Sequence, residues 1–157
     1  MRFRDCKQAN QGDSILAPGT IASALYNSQS TFVQIMKTED FLQDSQFDAK
    51  NESVSLLKCD VEGYEIDVLE GLSSLKDMVE LALVEFNHWC LSTYRQILPE
   101  EALKRICALF KYRFYHDGKE YRLISNEKDM LSFLHHNMVK ANVSDIFLTN
   151  DSKNVFC

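Results

Sequence analysis

Apolar residues along the chain fall into short runs separated by polar stretches, and the spacing inside each run assigns it to an element. Thr31 to Met36 is β-branched and apolar, which predicts a strand. Thr38 to Leu42 suits a short helical turn, with Thr38 as cap and Glu39 and Asp40 favourable near its start. Asp44 to Glu52 is polar and reads as a loop. Val54 to Cys59 is a compact apolar run stopped by Asp60, as expected of a strand buried on both faces. Glu62-Gly63 offers a turn. From Tyr64 to Leu75 the residues Ile66, Leu69, Leu72 and Leu75 recur at steps of three, with Val68 adjoining, which predicts one face of a helix. Leu81 to Phe86 is a second buried-strand run, ended by polar Asn87-His88. Two such strands joined by a helix make a βαβ unit, expected to cross over right-handed.

Pro99 with Glu100 and Glu101 opens a further helix, as proline and acids do, and Leu103, Ile106, Cys107 and Phe110 line its apolar face. Tyr112 to His116 and Tyr121 to Ile124 flank Asp117-Gly118, a hairpin-type turn. Asn126 can cap a helix with Met130, Phe133, Leu134 and Met138 on one face, and Asp145 to Thr149 is a last short strand. Alternation of this kind predicts an α/β fold: a layered sheet with flanking helices and an antiparallel C-terminal excursion. Three stretches are expected: an irregular N-terminal segment over 1–30 with a turn at Pro18-Gly19, a folded region over 31–150, and a tail over 151–157. No internal repeat or low-complexity tract is present.

Composition narrows the function classes. The chain has 157 residues, 45% hydrophobic and 25% charged, which suits one domain with a real core. Lys and Arg total 17 against 23 Asp and Glu, so the net charge is −6, and an acidic surface disfavours nucleic acid as a partner. Apolar stretches such as Leu81 to Val84 are too short to span a membrane. Met1 to Asp5 is charged with no apolar core behind it, so no secretory signal is read and a cytoplasmic location is expected. Cys6, Cys59, Cys90, Cys107 and Cys157 form no CxxC pair, which argues against a thiolate zinc site and for reduced thiols. The glycosylation-like triplets at Asn51, Asn142 and Asn150 carry no weight without secretion.

In open α/β sheets ligands sit outside the carboxyl ends of the strands. Two such ends stand out: Asp60-Val61-Glu62-Gly63, and Glu85-Phe86-Asn87-His88. In a parallel βαβ unit both lie at one edge, so Asp60, Glu62, Glu85, Asn87 and His88 would converge on one cleft. Carboxylates with an imidazole and an amide suit a general base, cation ligands or acceptors for substrate hydroxyls. The same residues also suit a plainer role, capping strand ends and facing solvent.

The stretch Leu56-Leu57-Lys58-Cys59-Asp60-Val61-Glu62-Gly63-Tyr64-Glu65, continuing to Val68-Leu69-Glu70-Gly71, closely resembles the signature of FkbM-type methyltransferases. Thr38 to Leu42 and Ala82 to Phe86 resemble the flanking family elements, so the likeness runs from about Thr31 to Trp89. Cys59 stands where Ile is common. The resemblance implies a doubly wound, Rossmann-like sheet, S-adenosylmethionine as cofactor, and methyl transfer to a hydroxyl of a small molecule or sugar. It implies Asp60, Glu62, Glu85 and His88 as catalytic residues: Asp60 orients the acceptor hydroxyl or helps hold a divalent ion, and His88 is a candidate base. Asn87 would contact substrate, while Tyr64 and Glu65 start the helix. The glycine-rich cofactor turn is not matched, since Gly12 and Gly19 are the only glycines before Gly63 and neither follows a strand-like run. The chain therefore reads as the C-terminal half of such an enzyme, a partial Rossmann-like sheet, with cofactor-binding residues unassigned. Two other readings stand beside it: a non-catalytic interaction module derived from that fold, and a different α/β enzyme using Asp60, Glu62 and Glu85 on a metal. In the family's sheet the fourth strand lies against the first. Here Val54 to Leu57 lacks that partner, so self-association or partner pairing is expected along this edge unless residues 1–30 cover it.

Overall fold

Among the described residues there are two β-sheets, and they differ in how far side-chain patterning foretells them. The structure, a computed structural model, describes residues 51–141 and 143–155, together with 2–4, 14–15, 30–32, 36–38 and 40. The first sheet is antiparallel and joins β1 (Arg2–Arg4), β2 (Ser14–Ile15) and β3 (Ser30–Phe32) in the order β2-β1-β3. The irregular reading of 1–30 is thereby corrected at Arg2–Arg4 and Ser14–Ile15. Strands of two or three residues are too short to show a period of two, and only backbone pairing defines them. The strand expected over 31–36 is found at Ser30–Phe32, with Met36 outside any element. Of the helical turn expected over 38–42, Thr38 and Asp40 are helical. Glu39, Phe41 and Leu42 lie outside the described residues, as do the turn at Pro18-Gly19 and most of the loop over 44–52.

The second sheet carries the predicted alternation. Its strands are β4 (Leu57–Cys59), β5 (Ala82–Asn87), β6 (Tyr112–His116), β7 (Tyr121–Leu123) and β8 (Val143–Thr149), ordered β4-β5-β8-β6-β7. β4 and β5 run parallel, β8 is antiparallel to both β5 and β6, and β6 and β7 form the expected hairpin. The α/β class with flanking helices is as expected. β5 buries Ala82, Val84 and Phe86 completely and half-buries Leu83 and Glu85, so only one face is fully dry. The run over 54–59 is less regular than predicted. Val54 makes a lone parallel bridge to Val79, the chain bends at Ser55, and Leu57 resumes the ladder by donating its N–H to Leu81 at 2.9 Å. β4 is one of the two outer strands of this sheet among the described residues, and Leu56 beside it is 57% exposed rather than buried.

From residue 51 onward the described α-helices are α1 (Glu65–Glu70), α2 (His88–Cys90), α3 (Pro99–Leu109) and α4 (Glu127–His135). The helix expected over 64–75 ends early, at Gly71, and a 3-10 helix follows over Ser73–Met78. The steps of three explain this, because a 3-10 turn stacks residues three apart. Leu72 donates to Leu69 at 3.2 Å and Leu75 to Leu72 at 2.8 Å, while Ile66, Leu69 and Leu72 stay buried. In α3, Pro99 is at the start, and Ala102, Leu103 and Ile106 face the core. Arg113 of β6 donates to the carbonyls of Cys107 and Phe110 at that helix's end and to Ile124. Asn126 caps α4, its side chain accepting from the Asp129 N–H at 3.1 Å. α4 then widens into a π-helical turn over His136–Ala141, and α2 into another over Leu91–Arg95. In the wider turn after α4 Asn137 is buried, while Met138, expected on the apolar face, is 49% exposed.

The core centres on Phe133, whose ring meets Phe86 at 5.1 Å and Tyr115 at 5.0 Å, both edge-on. This contact fastens α4 to β5 and β6, the strands whose carboxyl ends carry polar residues. Phe133→Ala opens a cavity there and is expected to cost about 3–5 kcal/mol of stability, checked by urea unfolding.

Candidate functional site

β4 ends at Cys59, and the chain leaves it through Asp60, Val61, Glu62 and Gly63. Both Glu62 (φ 52°) and Gly63 (φ 100°) are left-handed. The conformation costs on the order of 1 kcal/mol at Glu62, and glycine alone takes it freely at Gly63. Space demands glycine as well, since a Cβ at Gly63 would stand 3.2 Å from the carbonyl carbon and oxygen of Cys90. Glu65 holds the turn from inside. Its carboxylate, with the residue only 1% exposed, accepts from the N–H of Val61 at 3.0 Å and of Gly63 at 3.1 Å. Burial pushes the Glu65 carboxyl up, and these backbone donors pull against that shift.

The parallel pairing of β4 and β5 brings Asp60, Glu62 and Glu85 to one edge of the sheet. One carboxylate oxygen from each lies within 4.8 Å of the others. Asp60 is exposed and takes Lys58 as an ion-pair partner at 2.8 Å. Glu62 accepts from the Cys90 thiol at 3.0 Å. Glu85 is half-buried on β5 and stands opposite Asp145 on β8, so two carboxylates face each other across the ladder. Burial first, then the charges of Asp60, Glu62, Glu65 and Asp145, push the Glu85 carboxyl up to about 7. Asp145 is likewise raised, by burial and by Asp60, with Lys58 acting the other way. Such a trio of hard oxygen donors suits a divalent cation or a positively charged ligand group, and a carboxyl near neutrality suits proton transfer.

The remaining predicted residues have other partners. Asn87 is buried and serves as the cap of α2, its side-chain oxygen accepting from the Cys90 N–H at 3.2 Å. His88 is half-buried, and its Nδ1 lies 2.9 Å from Oδ1 of Asn137. Burial and nearby carboxylates raise the thiol of Cys59 to about 12 and that of Cys90 further, so neither is a thiolate at neutral pH. Beside the carboxylates lies an open cleft of about 250 Å³, lined by His116, His136, Ser144, Asp145 and Phe147. The Ser144 hydroxyl is buried there without a hydrogen-bond partner.

Sequence reasoning missed Glu65, Asn137 and Asp145. Glu65 was legible only as a first-turn acid. Asp145 was legible only as the start of a strand, since its placement opposite Glu85 is a matter of register. No helix among the described residues is long and apolar enough to cross a membrane. Compared with family models, curated proteins and solved structures, the chain gives no match.

Two expectations follow from the geometry. Gly63→Ala drives a Cβ against the Cys90 backbone in a disfavoured conformation, and should cost about 1–3 kcal/mol in a denaturant melt. Glu85 has a folded value above its ordinary 4.5, so the stability it confers when neutral is full below about 4.5 and is lost as pH rises through about 7. Glu85→Gln should flatten that decline, measured by urea unfolding across the same window.

Proposed function

We propose that the chain is an FkbM-type, S-adenosylmethionine-dependent methyltransferase domain with a partial Rossmann-like sheet, acting in the cytoplasm on a hydroxyl of a small molecule or sugar. The observation that carries this reading is the half-buried Glu85, raised to about 7, inside the carboxylate group with Asp60 and Glu62. The signature segment supports it, because Leu57 to Glu65 forms a strand, a tight turn and a helix start, with Asp60 and Glu62 at the strand's carboxyl end. The antiparallel β8 beside β5 supports it too, as the expected C-terminal strand.

An excess of carboxylates over cations fits a cofactor whose reactive centre is a cationic sulfonium. S-adenosylmethionine, when bound, supplies the methyl group and leaves as a neutral thioether. The residues of the chain do the rest. Asp60, exposed and held by Lys58, orients the acceptor hydroxyl. Glu85, ionised, takes the hydroxyl proton as the oxygen attacks, and its value near 7 balances being ionised against being basic. Glu62, fixed by Cys90 and by its own turn, holds the negative field in place.

A second reading, a non-catalytic module derived from the same fold, is favoured by one feature: the sequence has no glycine-rich turn before Gly63. Calorimetric titration of S-adenosylmethionine or S-adenosylhomocysteine into the chain separates the two. Micromolar binding supports the enzyme reading, and silence up to millimolar ligand supports the module. With cofactor bound, Asp60→Ala should lower methyl transfer by about 100-fold with cofactor affinity kept. Unchanged turnover would remove Asp60 from the mechanism.

A further inference from the structure

His88 sits where β5 passes into α2, and its ring is half-buried against the π-helical turn that follows α4. Its one hydrogen-bond partner among the described residues is Asn137, which is completely buried. That amide has two different jobs. Its Nδ2 donates to the carbonyl of Phe86 at 2.8 Å, and its Oδ1 lies 2.9 Å from His88 Nδ1. A backbone carbonyl can only accept, so the amide must turn its NH2 toward Phe86 and its oxygen toward His88. Reversing the amide would set two oxygens against each other in a dry interior, where an unmet pairing is most costly. The oxygen in turn can only accept, so Nδ1 of His88 must carry the proton.

We infer that Asn137 is a positioning residue that locks neutral His88 in the Nδ1–H form, leaving the Nε2 lone pair as a fixed proton acceptor at the carboxyl end of β5. The chain of constraint runs from the Phe86 carbonyl, through the buried amide, to one ring nitrogen. A side chain that orients an imidazole from behind is the usual way a fold chooses which nitrogen acts. Asn137 lies four residues after Phe133 and three after Leu134, on the buried face that α4 carries on into the π-helical turn. The role assigned to Nε2 rests on the reading that this edge of the sheet is a reaction site. There it receives a hydrogen bond from a ligand hydroxyl, at the end of the strand that also carries Glu85. The tautomer itself does not depend on that reading.

Nitrogen-15 correlation spectra of the histidine rings in the full chain, taken where His88 is neutral, test the lock directly. The expected result is a protonated Nδ1 and an unprotonated Nε2 at His88. A protonated Nε2, or an exchanging mixture of the two forms, overturns the proposal. Asn137→Leu removes the acceptor at Nδ1 and should release the ring to a mixture. Should the leucine variant fail to fold, the unmodified chain decides alone. Diethyl pyrocarbonate then reports on access: carbethoxylation of His88 is expected, and a His88 left unmodified while His116 and His135 react would overturn the role of Nε2. Neither readout needs turnover, so a chain that binds no S-adenosylmethionine but shows the locked form loses the methyltransferase reading and keeps this one.

Discussion

A carboxylate that water does not reach organises the functional end of this molecule. Glu65 opens α1 yet turns back into the interior, where it receives the N–H groups of Val61 and Gly63. Those two donors belong to a turn with two successive left-handed residues, a shape that would otherwise leave its amides facing a closed interior. The bonds repay the burial of Glu65, and the tight turn in turn lets the chain pass from β4 into α1 within a few residues. Because the turn is fixed, Asp60 and Glu62 stand at a fixed offset from Glu85 on the next strand. The spacing of the three carboxylates is thus set by one that is not among them.

The acidic group is assembled against its own repulsion. Glu85 faces Asp145 across an antiparallel ladder and gathers with Asp60 and Glu62 of the turn after β4, with Lys58 a near cation. A fold selected for stability alone gains nothing from setting like charges opposite each other. Natural sequences accept such local conflict mainly where a site is being built. The conflict is eased by keeping Glu85 partly protonated, which is also what gives it chemistry near neutral pH.

The sequence was most legible where burial imposes a period. Ala82, Val84 and Phe86 alternate as a strand does, and Pro99 with Glu100 and Glu101 marks a helix start that the fold keeps. The convergence of Asp60, Glu62 and Glu85 was legible as well, because two parallel strands joined by one helix must end at the same edge. Legibility stopped where backbone pairing or helix width takes over from side-chain pattern. Nothing in Arg2 to Arg4 distinguishes a short strand from a loop. The outward position of Met138 goes with a π-helical turn that leaves no composition signal. The exposure of Leu56 follows from β4 lying at the end of its sheet and from a bend at Ser55, which an apolar run does not announce.

The close approach of Gly63 to Cys90 has a mechanical meaning. With a hydrogen atom as the whole side chain, the turn after β4 rests directly on the backbone that ends α2, while the Cys90 thiol grips Glu62 from the same place. The two segments are therefore in direct backbone contact rather than separated by side chains. His88 stands two residues before Cys90, so the end of β5 and the turn that carries Glu62 meet at one point.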